Sequence, residues 1–172
     1  MKIKIISLSF MIGVAGSVAM AANSLQQTTP KTPSQKINVT PAITLKDLGL
    51  TFTRAVSDTQ VTQEKDNVIN VTTNAHPSAY QLMSNPISVS KPNIFKITYE
   101  INLTKGGFGV GLLSADQSKW VVHQSYNTPG TVKGTIELPK GSKEKTVYLV
   151  FDNNEPKGRR STFEIKKITL SK

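Results

Sequence analysis

Ile94-Phe95-Lys96-Ile97-Thr98-Tyr99-Glu100-Ile101-Asn102-Leu103 is the run that decides the fold. Phe95, Ile97, Tyr99, Ile101 and Leu103 fall on one side of an extended chain; Lys96, Thr98, Glu100 and Asn102 fall on the other. A period of two held this long marks a strand with one face in a core and one in water. Just beyond it, Gly106-Gly107-Phe108-Gly109-Val110-Gly111-Leu112-Leu113 repeats the alternation in another form. Phe108, Val110 and Leu112 share a face, while Gly107, Gly109 and Gly111 leave the opposite face without side chains. Alternate glycines weaken a strand through backbone entropy and lost packing. A chain tolerates them where a neighbouring side chain, a second sheet or a ligand lies close against the backbone.

Shorter runs of strand character recur on both sides. Before the central run they lie at 50–54, 68–72, 79–83 and 87–89; after it at 120–124, 130–138, 147–151 and 163–170. In the last, Phe163 and Ile165 are out of phase with Ile168 and Leu170, so a bulge is expected at Lys166-Lys167. No segment keeps a helical period over three turns. The reading is an all-β, antiparallel two-sheet sandwich over residues 45–172, with turn residues between short strands.

What precedes the sandwich reads differently. Residues 1–21 have the form of a signal peptide: Lys2 and Lys4, then an apolar run, then Ala19-Met20-Ala21 before Ala22. Residues 22–44 are rich in Thr, Pro and Gln, have no apolar period, and read as a disordered leader. The expected destination is the periplasm or the extracellular space. The apolar run is too short to span a bilayer, and no second one follows.

The 172 residues carry +10 and include no cysteine, which excludes disulfides, thiolate metal sites and cysteine nucleophiles. Losing two lysines with the signal leaves +8, and the excess is concentrated from Pro139 onward. Such a balance suits an anionic partner or a solvated basic surface. Aromatic residues do not interleave with the basic ones as nucleic-acid stacking requires, so nucleic acid is not the expected partner. No Gly-x-Ser-x-Gly elbow or His-Glu-x-x-His is present, and an enzyme is not expected. His76 and His123, the two histidines, lack partners at metal-ligand spacing.

The run Tyr80-Gln81, Asn85-Pro86-Ile87-Ser88-Val89, Phe95 to Tyr99, Gly109 to Leu113, Trp120, Phe151-Asp152-Asn153, Phe163-Glu164-Ile165 and Ile168-Thr169-Leu170 resembles the galactose-binding-like jelly roll of carbohydrate-binding modules. The resemblance is one of strand rhythm. It implies glycan binding on a sheet face or at loop tips; some members bind lipid headgroups or proteins, and many hold a structural calcium. Neither Asp58, Glu64 and Asp66 nor Asp152, Asn153 and Glu155 has the spacing of a calcium loop.

For a glycan, the candidates are Trp120, Tyr126, Tyr80, His123, Gln124 and Asn127 around Gly107, Gly109 and Gly111. Register decides what Trp120 does. With Leu113 opposite Lys119, Trp120 joins Val110 and Phe108 in the core and His123 stands over the glycines, with Tyr126 at the end of the groove. A shift of one residue puts Trp120 over the glycines instead. The core register is the expected one, because tryptophan is highly buried on average. The glycines then read either as a shallow groove or as room for bulky side chains.

For an anion, Lys140, Lys143 and Lys145 flank one turn and Lys157, Arg159 and Arg160 another. If both turns met at one end of the sandwich, their guanidinium and ammonium groups would suit the phosphate of a lipid headgroup or a polyanion. A third possibility is a structural or adhesin-like subunit offering a sheet edge to another protein. The chain is otherwise expected to be a monomer.

Overall fold

The computed structural model describes residues 43–171. The signal peptide and nearly all of the leader therefore lie outside the described residues. Twelve strands run in the order β1 (Ile43–Leu45), β2 (Leu50–Arg54), β3 (Gln60–Gln63), β4 (Ile69–Thr72), β5 (Tyr80–Ser84), β6 (Ile87–Ser88), β7 (Lys96–Lys105), β8 (Phe108–Ser114), β9 (Trp120–Tyr126), β10 (Gly130–Glu137), β11 (Thr146–Asn153) and β12 (Thr162–Ser171). Single 3-10 turns at Lys46–Leu48 and Lys65–Asn67 are the helical elements among the described residues.

The strands form two antiparallel sheets. A seven-stranded sheet has the order β1-β2-β5-β11-β8-β9, with β6 also on β11; a five-stranded sheet has the order β10-β7-β12-β4-β3. Strand β7 lies between β10 and β12, and its apolar side faces inward as its alternation requires: Ile97, Tyr99, Ile101 and Leu103 are all buried, as is Phe95 just before it. From the facing sheet, Phe108, Val110 and Leu112 of β8 meet them with Phe52, Leu149 and Phe151. Phenylalanines tie the layers together. Phe163 of β12 lies 5.2 Å from Phe108 and 6.2 Å from Phe151, and Phe151 lies 6.0 Å from Phe52.

The bulge expected in the last strand is present: the β12–β7 register shifts between Ile165 and Lys167, which turns both Ile165 and Ile168 inward. Two short strands escaped the sequence reading. β1 includes Ile43 and Thr44, which that reading assigns to the leader, and pairs with β2. β3 pairs with β4 although its residues Gln60, Val61, Thr62 and Gln63 are nearly all polar. It is an edge strand with little to bury.

One end of the sandwich is held by polar groups. The Asn153 side-chain amide donates to the carbonyls of Asn74 (3.0 Å), His76 (3.3 Å) and Arg159 (3.0 Å), and its Oδ1 accepts from Ser161 Oγ at 2.8 Å. Gln81 donates to Asn74 Oδ1 at 2.8 Å and accepts from Thr59 at 2.6 Å. At the same end Arg159 grips Glu155, with Nε 2.9 Å from Oε2 and the second nitrogen 3.2 Å from Oε1.

The Arg159 hydrogen bond, helped by backbone N–H donors, holds the Glu155 carboxyl down to about 2. Likewise the Ser114 hydroxyl, with Ser118, holds Asp116 at about 2. A carboxyl depressed by the fold adds stability that is complete above its unfolded value and is lost as pH falls through the folded one. The melting temperature is therefore expected to fall as pH drops from about 4.5 toward 2. Glu155→Gln should lower it at neutral pH and flatten that acid decline; a decline parallel to the wild type would contradict the assignment.

Candidate functional site

The outer face of the seven-stranded sheet is where most of the chemistry expected of β8 and β9 comes together. In β9, Val122 pairs with Leu112 and Trp120 pairs with Leu113, leaving Val121 as an extra residue. That bulge resets the two-residue alternation. Trp120 and His123, three positions apart, consequently share the outer face, one opposite Leu113 and the other opposite Gly111. The expectation that Trp120 enters the core is thus corrected: it stands with the glycines, and so does His123. Two alternatives that a regular hairpin makes exclusive are both realised.

Nor do the glycines line an open groove. Neighbouring strands of their own sheet lay side chains across them. A Cβ on Gly109 would sit 1.9 Å from Asp152 Oδ1 and 2.3 Å from His123 Nε2; one on Gly111 would sit 2.9 Å from the Trp120 ring. These positions are glycine because β9 and β11 reach over β8 to touch each other. His123 Nε2 meets Asp152 Oδ1 at 3.2 Å, with Asp152 only 3% exposed. Trp120 packs 4.4 Å from the His123 ring and edge-on to Tyr80 at 5.3 Å. Gly109→Val is therefore expected to separate His123 from Asp152, with the His123 ring resonances moving to those of an unpaired histidine. Unchanged ring resonances would contradict the packing.

Beneath the rings lies a small second core of Met83, Leu113 and Val150, covered by Tyr80, Trp120 and Tyr148. All three aromatic residues are half-buried. Burial first, and then the Asp152 charge, push the Tyr80 hydroxyl above its ordinary value, so it remains a protonated donor. Tyr148 was missed in the sequence; its alternation with the inward Val147 and Leu149 is the signal that could have found it.

Other expected ligand residues go elsewhere. Tyr126 and Gln124 pair with Phe108 and Val110, which turns them toward the interior. Tyr126 stacks on Phe108 at 5.1 Å, its hydroxyl is 2.7 Å from that of Tyr99, and Tyr99 donates to Gln124 Oε1 at 2.6 Å. Gln124 Nε2 in turn donates to the Thr135 carbonyl at 3.0 Å, closing the side of the sandwich between β9 and β10. Tyr126 therefore cannot end a groove on the outer face. Asn127 and Gly107 lie at the lower margin, where Asn127 meets Asn154 at 2.9 Å.

The two basic turns do not meet. Lys140, Lys143 and Lys145 precede β11, whereas Lys157, Arg159 and Arg160 follow it, so the eight residues of β11 put them at opposite ends. At about 3.3 Å per residue, that separation is about 25 Å. Arg159 is engaged by Glu155, and Arg160 reaches the carbonyls of Asp58 (3.2 Å) and Thr73 (3.3 Å) and the Asp58 carboxylate at 3.6 Å. The pair that seemed suited to a phosphate is occupied with holding loops.

The outer face of the five-stranded sheet carries a cavity of about 400 Å³ lined by Thr98, Glu100, Lys133, Thr135, Lys167 and Thr169, with Tyr99 and Gly134 in its floor. Tyr99, the aromatic residue there, is 4% exposed and turned inward. Among the described residues, that cavity is lined by hydroxyls and charges, with no exposed ring for stacking.

Among solved structures, the chain is similar to a CBM4 carbohydrate-binding module, with 16% identity and a TM-score of 0.53 over 79% of this chain and 99% of that one. A carbohydrate-binding module from Cellvibrio mixtus lichenase 5A in complex with cellotriose matches at 14% identity and a TM-score of 0.43, over 78% of this chain and 98% of that one. No family model matches the sequence. No curated protein matches it either. The fold is a carbohydrate-binding-module-type antiparallel β-sandwich, a statement that rests on the first of these structures.

Proposed function

We propose that this is an exported, non-catalytic protein that binds glycans through the outer face of its seven-stranded sheet. The observation that carries the reading is the cluster of Trp120, Tyr80 and Tyr148 beside the hydrogen-bonded His123–Asp152 pair. Sugar rings present apolar C–H faces to aromatic rings and hydroxyls to planar polar groups, and this face offers both. The carbohydrate-binding-module-type fold supports the reading by analogy. The form of residues 1–21, a signal peptide in type, supports the exported part of the reading.

A binding role also suits the chemistry around His123. Among the described residues His123 pairs with Asp152 and is hydrogen-bonded to no hydroxyl. Retention of the mature chain in native gels containing β-glucans, xylans, mannans and acidic polysaccharides tests the proposal. At least one polymer is expected to slow migration, with release by its own oligosaccharides. Unretarded migration in every polymer would overturn it.

A further inference from the structure

The end of the aromatic face nearest Trp120 and Tyr148 is basic, and its acids are already engaged. Glu144 meets Lys119, the residue before Trp120, at 3.9 Å; Glu137 meets Lys96 at 3.5 Å. Asp116 accepts from Ser114 at 2.6 Å and from Ser118 at 2.8 Å. Lys91, Lys140, Lys143 and Lys145 are exposed, and among the described residues none of them has an acidic partner. Residues 1–42 contain no Asp or Glu that could supply one.

Register puts the segment with these lysines at the Trp120–Tyr148 end of the face, because Val147 pairs with Ser114 and Tyr148 with Leu113. Glu144 of the 139–145 loop comes within 3.9 Å of Lys119 in the hairpin that carries Trp120. The Val89 N–H donates to the Lys145 carbonyl at 2.9 Å, which brings the segment with Lys91 alongside. Lys145 lies just before the end of β11 that carries Tyr148, in phase with the inward Val147.

We infer that the glycan is acidic: a polysaccharide bearing carboxylates or sulfates, with a sugar ring on Trp120 and Tyr148 and the next charged unit over Lys140, Lys143 and Lys145. The inference rests on the glycan-binding reading of that face. Unpaired ammonium groups at one margin attract an anion and disfavour none of its hydroxyl contacts, so they select by charge what the rings bind by shape. An anionic membrane would use the lysines without the rings, and that difference separates the two.

The test compares polygalacturonate, alginate and chondroitin sulfate with their methyl-esterified or desulfated forms, by affinity electrophoresis and calorimetry. At least one acidic polymer is expected to bind at least about tenfold more tightly than its neutralised form, with the preference shrinking as NaCl rises from about 50 to 500 mM. Combined Lys140→Ala, Lys143→Ala and Lys145→Ala should remove that preference and leave residual binding of the neutral form intact. Trp120→Ala should weaken both forms. Equal binding of acidic and neutral forms would overturn the inference while leaving glycan binding standing. Acidic binding unaffected by Trp120→Ala, or retention on phosphatidylglycerol vesicles with no polysaccharide bound, would overturn it in favour of plain electrostatic adsorption. Loss of all polysaccharide binding would remove both readings together.

Discussion

Trp120→Ala is expected to weaken glycan binding by about 30-fold or more while leaving a folded sandwich. The magnitude follows from the behaviour of tryptophan in recognition surfaces, where truncation of a central ring costs about 2 kcal/mol or more, or about 30-fold in affinity. Trp120 sits in that position: flanked by Tyr80 and His123 and backed by Leu113, it is the largest ring on the outer face. Its loss should be tolerated structurally because it covers a satellite cluster rather than joining the main core. Trp120→Phe keeps a ring over Met83, Leu113 and Val150, and should retain part of the affinity. Full affinity in the alanine variant, measured by calorimetry against the best-retained polymer, would move the site off this face.

The largest stability effect outside the apolar core is expected at Asn153. Asn153→Ala leaves the Arg159 carbonyl without a donor and Ser161 Oγ without its acceptor, and it strips one donor each from the Asn74 and His76 carbonyls, which keep the Thr73 hydroxyl and the Ala79 N–H, at a position fully buried in the structure. Each buried polar group left unpaired costs about 1–3 kcal/mol, and some relax toward water, so a loss of about 3 kcal/mol is expected. For a domain of this size that is a fall of about 10 °C in Tm. The same substitution frees the loop carrying Arg159, and amide exchange over 154–161 should accelerate. A Tm within two or three degrees of the wild type would mean that those loops hold themselves.

The sandwich was legible because burial imposes a period of two. Phe95 to Leu103 alternate without an error, and the phase change after Ile165 gave away its bulge. Edge strands were less visible: Gln60–Gln63 bury almost nothing, so no apolar pattern betrays them. The candidate site was half legible. Glycine spacing in β8 announced that something lies across it, and His123 was placed over it. A bulge in β9 had no sequence signal, because Val121 and Val122 are both apolar and either could face the core. That single extra residue decides whether Trp120 meets a ligand or the interior. Tyr126 and Gln124 were misjudged for the opposite reason: polar tips suggested a surface, while their hydroxyl and amide find partners inside, on Tyr99 and Thr135. The separation of the two basic turns could have been read from β11, whose length alone keeps its ends apart.

The chain contains a single tryptophan, so tryptophan emission, excited beyond the tyrosine band, reports on the surroundings of Trp120. Titrating the mature protein with oligosaccharides of the best-retained polymer should shift or quench that emission in a saturable way, with a midpoint equal to the calorimetric Kd. Saturable heat with an unmoved Trp120 spectrum would place the glycan elsewhere on the sandwich and contradict the account.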